Sequence, residues 1–164
     1  MKYLKIQVVE FLIESNEIED ISTDQALDES LEAWEYLCNK KEDKLHMVDV
    51  LTIHRLIMQT LEPNIAGRLR AEHGFDVTVG GRECVRYYDV PNRIYHWVAD
   101  VNNVKWDEDI IKHFHIVFEN IHPFADGNGR AGRMIYLWMR EKANLPMQII
   151  KADEKEEYYK WFRR

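Results

Sequence analysis

Residues 122–133 read HPFADGNGRAGR and separate two segments whose apolar residues recur with the spacing of α-helices. Gly127, Asn128 and Gly129 can adopt positive φ angles, so this turn can come close to a ligand. A helix begins at the end of the turn, and its free N–H groups and positive end attract an anion. The stretch therefore predicts two helices joined by a turn that binds an anion such as a phosphate group.

Four side chains in this stretch carry groups that suit phosphate chemistry. Arg130 and Arg133 are three residues apart, so we expect both to reach one polyphosphate from the same helical face. Asp126 provides a hard oxygen ligand for Mg²⁺ beside those phosphates. His122 titrates near neutral pH and can accept a proton. Because a base, a metal ligand and two cations coincide in so short a segment, phosphate-bond chemistry is favoured over an ordinary surface turn.

Apolar residues recur with helical spacing over most of the chain, which predicts an all-α domain with one small β-hairpin. The predicted helices cover residues 5–16, 24–40, 47–61, 91–101, 108–121, 129–143 and 153–162. In the first helix, the apolar stripe consists of Ile6, Val9 and Ile13, widened by Phe11 and Leu12. Two short strands at 76–79 and 84–88 are predicted on either side of Gly80 and Gly81.

The chain has 164 residues, of which 46% are hydrophobic, and this is enough for one domain with a substantial core. A formal net charge of −7 argues against a broad basic surface for nucleic acid. Two cysteines, Cys38 and Cys84, are too few for a disulfide framework and indicate free thiols in a reducing compartment. No apolar run reaches the ~20 residues of a transmembrane helix, and charged residues interrupt the N-terminal segment. We therefore expect a cytoplasmic protein that binds neither nucleic acid nor membrane.

Every fixed position of the Fic-domain motif, HPFxDGNGRxxR, is present at residues 122–133, so the chain resembles the Fic family. The similarity extends over most of residues 45–162 and includes Gly67 to Arg70, His115 and the Tyr158-Tyr159 pair. The resemblance implies an all-α, Fic-like helical domain with a hairpin flap. It places N-terminal helices at residues 1–44 and a catalytic core at residues 45–164, which together form one compact domain.

The resemblance also implies a protein adenylyltransferase, which moves AMP from ATP onto a Tyr, Ser or Thr hydroxyl of a target protein. His122 would deprotonate that hydroxyl for attack on the α-phosphate, and Asp126 would hold Mg²⁺ against the α- and β-phosphates. Pyrophosphate would then leave. The nucleotide would be bound by Gly127, Asn128 through its side chain, Gly129, Arg130 toward the β-phosphate, Arg133 at the γ-phosphate, and Tyr158 and Tyr159 near the adenine.

The hairpin residues Thr78, Val79, Gly80 and Gly81 resemble the family's flap, which pairs with the backbone of the target and aligns its hydroxyl. By the same resemblance, this segment could also line the nucleotide. An ordinary packing hairpin explains the sequence equally well, so both interpretations stay open.

Residues 15–20 read SNEIED and resemble the family's inhibitory pattern, S/T-x-x-x-E-G/N. The resemblance implies that Glu19 pairs with Arg133 and withdraws it from the γ-phosphate, while Ser15 lies on the same helical face as Glu19. The pattern departs at Asp20, because Gly adopts the left-handed conformation at a helix end more readily than Asp. The alternative is an acidic, solvated helix end.

Other functions remain compatible with the sequence. The same fold could remove AMP from a protein, with Glu19 orienting a water molecule, or it could use UTP or GTP in place of ATP. Related Doc-like phosphotransferases carry a lysine where Gly129 stands, which disfavours phosphate transfer. An inactive domain that binds a peptide at the hairpin edge is disfavoured by the intact His122 and Asp126. The sequence predicts neither the target nor the oligomeric state.

Overall fold

A computed structural model describes residues 5–162 and gives seven α-helices, one hairpin and four 3₁₀ turns within that range. The helices are α1 (Lys5–Glu17), α2 (Asp24–Cys38), α3 (Met47–Met58), α4 (Val90–Asn102), α5 (Glu108–Ile121), α6 (Asn128–Lys142) and α7 (Lys155–Tyr159). The strands are β1 (Thr78–Val79) and β2 (Arg82–Glu83), and the 3₁₀ turns are Arg70–Glu72, Tyr87–Asp89, Ala152–Glu154 and Lys160–Phe162. The predicted all-α class with one small hairpin is confirmed.

Helix α6 lies at the centre of the molecule and is buried over almost its whole length. It packs against α5 and also contacts α1, α2 and α3. Leu137, Trp138 and Met139 are fully buried, while the small Ala131 near its N-terminus is also completely covered by its neighbours. A helix that is enclosed on nearly every side holds its N-terminus, and the turn before it, in a fixed place.

Helix α1 packs on the same core, but through a different face from the one predicted. Its buried residues are Val8, Phe11, Leu12, Ser15 and Asn16. Ile6 is 76% exposed and Ile13 is 38% exposed, so the prediction that they form the buried stripe is wrong. Apolar residues occupy both faces of this helix, and its contacts with α2 and α6 decide which face is buried.

The turn after α1 has the hydrogen bonds of a helix end that is capped by a left-handed residue. Asp20 adopts a φ of 58°, and its N–H donates to the Glu17 carbonyl at 3.0 Å. The N–H of Ile21 donates to the Asn16 carbonyl at 3.1 Å. Asp20 therefore takes the place of the usual Gly or Asn, and the departure from the pattern leaves the cap intact.

The hairpin is shorter than predicted. Thr78 pairs with Glu83 and Val79 with Arg82, and the turn between the strands consists of Gly80 and Gly81, both with positive φ. The prediction of a second strand at 84–88 is wrong. Asp76 binds the chain there, because its carboxylate accepts the N–H of Tyr87 and the Nη1–H of Arg86, both at 2.8 Å, which favours a 3₁₀ turn.

One core joins the N-terminal helices to the rest of the protein. Phe11 of α1, Trp34 of α2 and Leu137 of α6 belong to the same cluster of buried residues. A division of the chain at residues 44 and 45 therefore stays a prediction about function rather than a visible boundary. No helix within residues 5–162 combines the length and the apolar character needed to cross a membrane.

Candidate active site

A cavity of about 700 Å³ opens at the N-terminus of α6, and most of the site residues predicted from the sequence converge on it. Its walls are formed by Glu19, Val79, Gly80, Gly81, His122, Asp126, Gly127, Asn128, Gly129, Arg133, Tyr158 and Tyr159, together with Arg82, Glu119 and Phe162. Ser15, Thr78 and Arg130 were also predicted but do not line the cavity. Segments that are far apart in sequence thus meet at the turn that carries the motif.

The turn between α5 and α6 takes its shape from two residues in the left-handed conformation. His122 follows α5 with a φ of 50°, and Gly127 precedes α6 with a φ of 74°. A Cβ atom on Gly127 would lie 2.7 Å from the Met58 sulfur, so glycine is needed for space as well as for its backbone conformation. The turn therefore places the start of α6 at the cavity wall, where its N–H groups can approach an anion.

The side chain of Asn128 holds this turn closed. Its Oδ1 accepts the Phe124 N–H and its Nδ2 donates to the Phe124 carbonyl, both at 2.9 Å. Asn128 is 2% exposed and its amide is used in this way, so contact between this side chain and a phosphate stays a prediction. Asn128 also offers its backbone N–H in the first turn of α6.

The imidazole of His122 lines the cavity with one ring nitrogen turned inward. The side chain is 15% exposed, and Nδ1 is buried without a hydrogen-bond partner among residues 5–162. Nε2 is therefore the nitrogen that can meet a hydroxyl group. Burial lowers the pKa of His122 to about 4, so the ring is uncharged at neutral pH and can accept a proton.

Arg133 is almost completely buried and is held by the end of α1. Its Nε donates to the Ser15 hydroxyl at 2.9 Å, and its Nη2 donates to the Ser15 carbonyl and to Glu19 Oε1, both at 2.8 Å. Nη1 donates to the Tyr158 hydroxyl at 3.4 Å. The predicted contact between Glu19 and Arg133 is thus present. Ser15 also binds Arg133 but does not line the cavity.

The segment that carries Glu19 is anchored by apolar contacts of its own. Ile18 is 2% exposed and packs against Ile150 and Tyr158. A Cβ atom on Gly129 would collide with Glu19 Oε1, so the carboxylate lies directly against the first turn of α6. Glu19 therefore occupies the positive end of this helix, which is the place that an anionic ligand would also take.

Arg130 points away from the cavity. It is 3% exposed, its Nη1 donates to the Ile57 carbonyl at 3.0 Å, and its Nη2 lies 2.7 Å from the Met58 sulfur. Residues three apart differ by about 60° around a helix, and here that difference directs Arg130 toward α3. The prediction that Arg130 and Arg133 reach one polyphosphate from the same face is therefore wrong in this structure, where Arg130 ties α6 to α3.

Tyr158 and Tyr159 have different surroundings. Tyr158 is 4% exposed, and its hydroxyl forms a hydrogen bond with Nε2 of the buried His115 at 2.8 Å and accepts a second one from Arg133. Burial lowers the pKa of His115 to about 3, which keeps this imidazole neutral. Both tyrosines line the cavity, but Tyr159 is only partly buried and is the more accessible of the two, whereas the predicted contact with an adenine stays a prediction.

The hairpin forms one rim of the cavity. Val79 is 40% exposed there and is followed by Gly80 and Gly81 in the cavity wall, whereas the exposed Thr78 lies outside it. Arg82 Nη1 donates to the Phe162 carbonyl at 3.1 Å and so fastens the hairpin to the last 3₁₀ turn.

Comparison with protein families matches residues 44–139, more than half of the chain, to the Fic/DOC family. This chain belongs to the Fic/DOC family. It is 30% identical over 129 residues to protein adenylyltransferase fic-1 of Caenorhabditis elegans, covering 75% of this chain and 24% of the relative. It is 28% identical over 131 residues to protein adenylyltransferase Fic of Aedes aegypti, covering 75% of this chain and 25% of the relative. The chain thus spans about a quarter of the length of these curated relatives.

Solved structures have the same fold as this Fic-family chain. Fic-1 from C. elegans matches it with a TM-score of 0.78 and 19% identity, over 96% of this chain and 55% of that one. A Fic domain containing signaling protein from Bacteroides thetaiotaomicron matches with a TM-score of 0.77 and 19% identity, over 93% of this chain and 69% of that one. These likenesses establish the Fic fold for this chain.

Two residues outside the Fic motif also shape the site, and the first is His54 of α3. Its ring stacks on Phe124 with centroids 3.7 Å apart. Its Nδ1 accepts the Gly67 N–H, so Nε2 carries the proton and donates to the Asp126 carbonyl, both at 2.9 Å. Burial lowers the pKa of His54 to about 4, which keeps this arrangement neutral. In the sequence, a polar residue on an apolar helix face was the only signal.

The second residue is Arg70, which is completely buried next to the backbone of His122. Its Nε donates to the His122 carbonyl at 2.7 Å, and its Nη1 donates to the Phe75 carbonyl at 3.1 Å. Its Nη2 donates to the carbonyls of Ile121 and Val85. One guanidinium group therefore satisfies the carbonyls at the end of α5 and on both sides of the hairpin.

We expect Arg70→Met to lower the free energy of unfolding by about 3–5 kcal/mol, because several buried carbonyls lose their donor at once. Arg68→Met is the matched control, since Arg68 is half-exposed and pairs only with the exposed Glu72, which predicts a loss below about 1 kcal/mol. Urea unfolding followed by circular dichroism measures both. Equal losses in the free energy of unfolding of the two variants would show that the hydrogen bonds of Arg70 do not stabilise the fold.

The stability of this Fic-family domain should fall as the solution becomes acidic. His54, His115 and His122 have pKa values near 4, 3 and 4 when folded but 6.5 when unfolded, so below pH 6.5 only the unfolded chain binds these protons. Each such proton lowers the free energy of unfolding by about 1.4 kcal/mol per pH unit. Glu119 acts in the opposite direction between pH 4.5 and about 7, because burial raises its folded pKa to about 7.

Three histidines lower the free energy of unfolding as the pH falls and Glu119 raises it. Between pH 4.5 and 6.5 the unfolded chain therefore binds about two more protons than the folded chain. Urea unfolding at a series of pH values gives this slope. His54→Asn should reduce the slope, whereas the same change at the exposed His96 should leave it as it is. A stability that stays constant from neutral pH down to about pH 5 would contradict the assignment of neutral, buried histidines.

Proposed function

We propose that this chain transfers AMP from ATP to a hydroxyl group of a protein. The observation that carries the proposal is the convergence on one cavity of a neutral imidazole, the N-terminus of a buried helix, a carboxylate and a guanidinium group. These are the groups that phosphoryl-transfer chemistry requires, namely a base, an anion site and electrostatic stabilisation of the transferred group. The names of the curated relatives, protein adenylyltransferases, support the same reaction.

In the proposed reaction, the hydroxyl oxygen of the target attacks the α-phosphorus while Nε2 of His122 takes the hydroxyl proton. The bond between the α-phosphorus and the bridging oxygen breaks, and pyrophosphate leaves with that electron pair. The lowered pKa of His122 keeps the ring neutral at neutral pH, which is the protonation state that a general base needs. Backbone N–H groups at the start of α6 would neutralise the charge on the phosphate oxygens.

Asp126 fits a Mg²⁺ ion that is bound mainly through phosphate oxygens. Its Oδ1 accepts the Gly127 N–H at 2.7 Å, so Oδ2 is the oxygen that remains for a cation. Among residues 5–162 no group of three or more His, Cys, Asp or Glu side chains could hold a metal. A single carboxylate is nevertheless sufficient when water and a polyphosphate provide the other ligands. Mg²⁺ would neutralise the phosphates and favour the departure of pyrophosphate.

The contact between Glu19 and Arg133 supports inhibition by the protein's own N-terminal segment. Arg133 lies at the cavity wall beside the start of α6, and its guanidinium group donates four hydrogen bonds to Ser15, Glu19 and Tyr158. A γ-phosphate would have to displace the Glu19 carboxylate to bind there. ATP that cannot reach Arg133 would lie in a position from which the α-phosphate is not aligned for attack.

The position of the hairpin supports a protein as the second substrate. Val79 is exposed at the rim of the cavity that contains His122, and a strand of a two-stranded sheet has an edge free to accept another strand. A target segment added to β1 would bring its own side chains to the base. The hydroxyl that faces His122 would then be the one that is modified.

ATP labelled at two different positions tests the reaction. If AMP is transferred, the Glu19→Gly protein incubated with Mg²⁺ and a cell lysate incorporates label from the adenosine half of ATP but not from the γ-phosphate. Incorporation of the γ-phosphate label alone would show that the protein transfers phosphate and not AMP.

A further inference from the structure

Glu119 is a buried carboxylic acid that the proposed reaction does not use. It lies in the last turn of α5, three residues before His122, which follows the helix in the left-handed conformation. Its side chain is 11% exposed, and its Oε2 lies 3.8 Å from Nδ1 of His122. Both Oε1 of Glu119 and Nδ1 of His122 are buried without a hydrogen-bond partner among residues 5–162. The two side chains thus lie next to each other, with Oε2 toward Nδ1 of His122 and the unpaired Oε1 toward Gly132 of α6.

The structure makes room for this carboxyl group at the base of the cavity. A Cβ atom on Gly132 would lie 2.7 Å from Glu119 Oε1, so the glycine in α6 allows the close approach. Burial raises the pKa of Glu119 to about 7, which means that keeping its charged form here costs free energy. An acid in such a position needs a partner, and the turn provides one in the imidazole of His122.

The other charged groups around the pair have different partners. Arg133 of α6 and Arg82 of β2 face Glu119, but Arg133 is bound to the end of α1 and Arg82 donates to Phe162. Glu19, from the segment after α1, adds a like charge. Arg70 and Asp126 act on the imidazole from its other sides. The imidazole of His122 lies 3.8 Å from the Glu119 carboxylate, and the backbone of Glu119 also faces this ring.

We propose that Glu119 is a positioning residue for the base, whose carboxylate accepts the Nδ1–H of His122 and leaves Nε2 unprotonated toward the target hydroxyl. The gap of 3.8 Å closes to the ~2.8 Å of a charge-assisted hydrogen bond when the ring becomes positive. During transfer the hydroxyl proton moves to Nε2, the Nδ1 proton stays on the ring, and the carboxylate stabilises the resulting imidazolium. The role in transfer rests on the proposed function, whereas the control of the ring tautomer does not.

The tautomer of His122 tests the contact without any enzymatic assay. In ¹⁵N-histidine-labelled protein at slightly alkaline pH, we expect the ring proton on Nδ1 in the wild type and in Glu119→Gln, whose amide oxygen can still accept it. Glu119→Met has no acceptor, so the proton should move to Nε2. Asp109→Asn, an exposed change on the same helix, is the control and should leave the His122 signals in place. An identical His122 spectrum in Glu119→Met and wild type would overturn the proposal.

The rate of transfer tests the charge of Glu119 separately. In a Glu19→Gly background, Glu119→Gln should lower kcat about 10-fold to 100-fold with an unchanged KM for ATP, as for other residues that orient a catalytic group. The rise in rate that accompanies ionisation of Glu119 near pH 7 should also disappear. An unchanged kcat and pH profile in this variant would overturn the proposal. If Glu19→Gly itself transfers nothing, the proposed function fails, and the His122 tautomer still decides the role of Glu119.

Discussion

Glu19→Gly is expected to raise the transfer of AMP about tenfold to a hundredfold. The carboxylate of Glu19 is bound to a buried guanidinium group at 2.8 Å, and this contact must be broken before a γ-phosphate can use the arginine. Hydrogen bonds between charged groups of this kind contribute about 1.5–3 kcal/mol, which corresponds to the expected increase in rate. Initial rates with saturating ATP and Mg²⁺, measured as label incorporated from the adenosine half of ATP, give the effect.

The control for this prediction is Glu17→Gly. Glu17 is exposed at the last position of α1, so its loss removes the same charge and adds the same glycine without touching Arg133. Rates that rise equally in both variants would point to loosening of the helix end. Rates that rise in neither would show that the ion pair between Glu19 and Arg133 does not restrain the enzyme.

His122→Ala in the Glu19→Gly background is expected to lower the transfer rate by about 10²-fold to 10⁴-fold, which is the usual contribution of a general base. The folded structure should survive, because Nδ1 of His122 has no side-chain hydrogen bond to other residues among 5–162 and Arg70 holds the backbone carbonyl at this position. The backbone at this position has a φ of 50°, a conformation that asparagine accepts more easily than alanine. His122→Asn therefore serves as the second variant and separates loss of the base from backbone strain.

Binding of ATP gives the control for the His122 variants. Both should bind a fluorescent ATP analogue as tightly as the Glu19→Gly parent, because the phosphates are held by the start of α6 and not by the imidazole. Transfer at the parental rate in His122→Asn would remove His122 from the role of base. Loss of transfer together with loss of nucleotide binding would make it a binding residue instead.

The features that depend on local sequence could be predicted. Gly127 and the residues after it predict a turn at a helix N-terminus, and this turn lies at the cavity in the structure. The resemblance of residues 15–20 to the Fic inhibitory pattern predicted that Glu19 pairs with Arg133, and the structure contains this pair, with Ser15 bound to the same guanidinium group. Helical periodicity and a motif with many fixed positions both depend on residues that are close in sequence. They are therefore sufficient to predict the helices and the turn.

The features that depend on tertiary contacts could not be predicted in this way. The direction of Arg130 is decided by α3, which offers the Ile57 carbonyl and the Met58 sulfur. The side chain of Asn128 is held by two hydrogen bonds to the Phe124 backbone. Arg70 carries no local signal of its role, since the carbonyls that it satisfies come from segments that only the folded chain brings together.

Mass spectrometry of two proteins tests the central claim most directly. The Glu19→Gly protein and the Glu19→Gly, His122→Ala protein are each incubated with ATP, Mg²⁺ and a cell lysate, and modified peptides are then identified. We expect the first protein to add the mass of one AMP to a Tyr, Ser or Thr side chain, either on itself or on a lysate protein, and the second to add none. Equal modification by both proteins, or modification by neither, would contradict a reaction in which the imidazole of His122 activates a hydroxyl for attack on the α-phosphate of ATP.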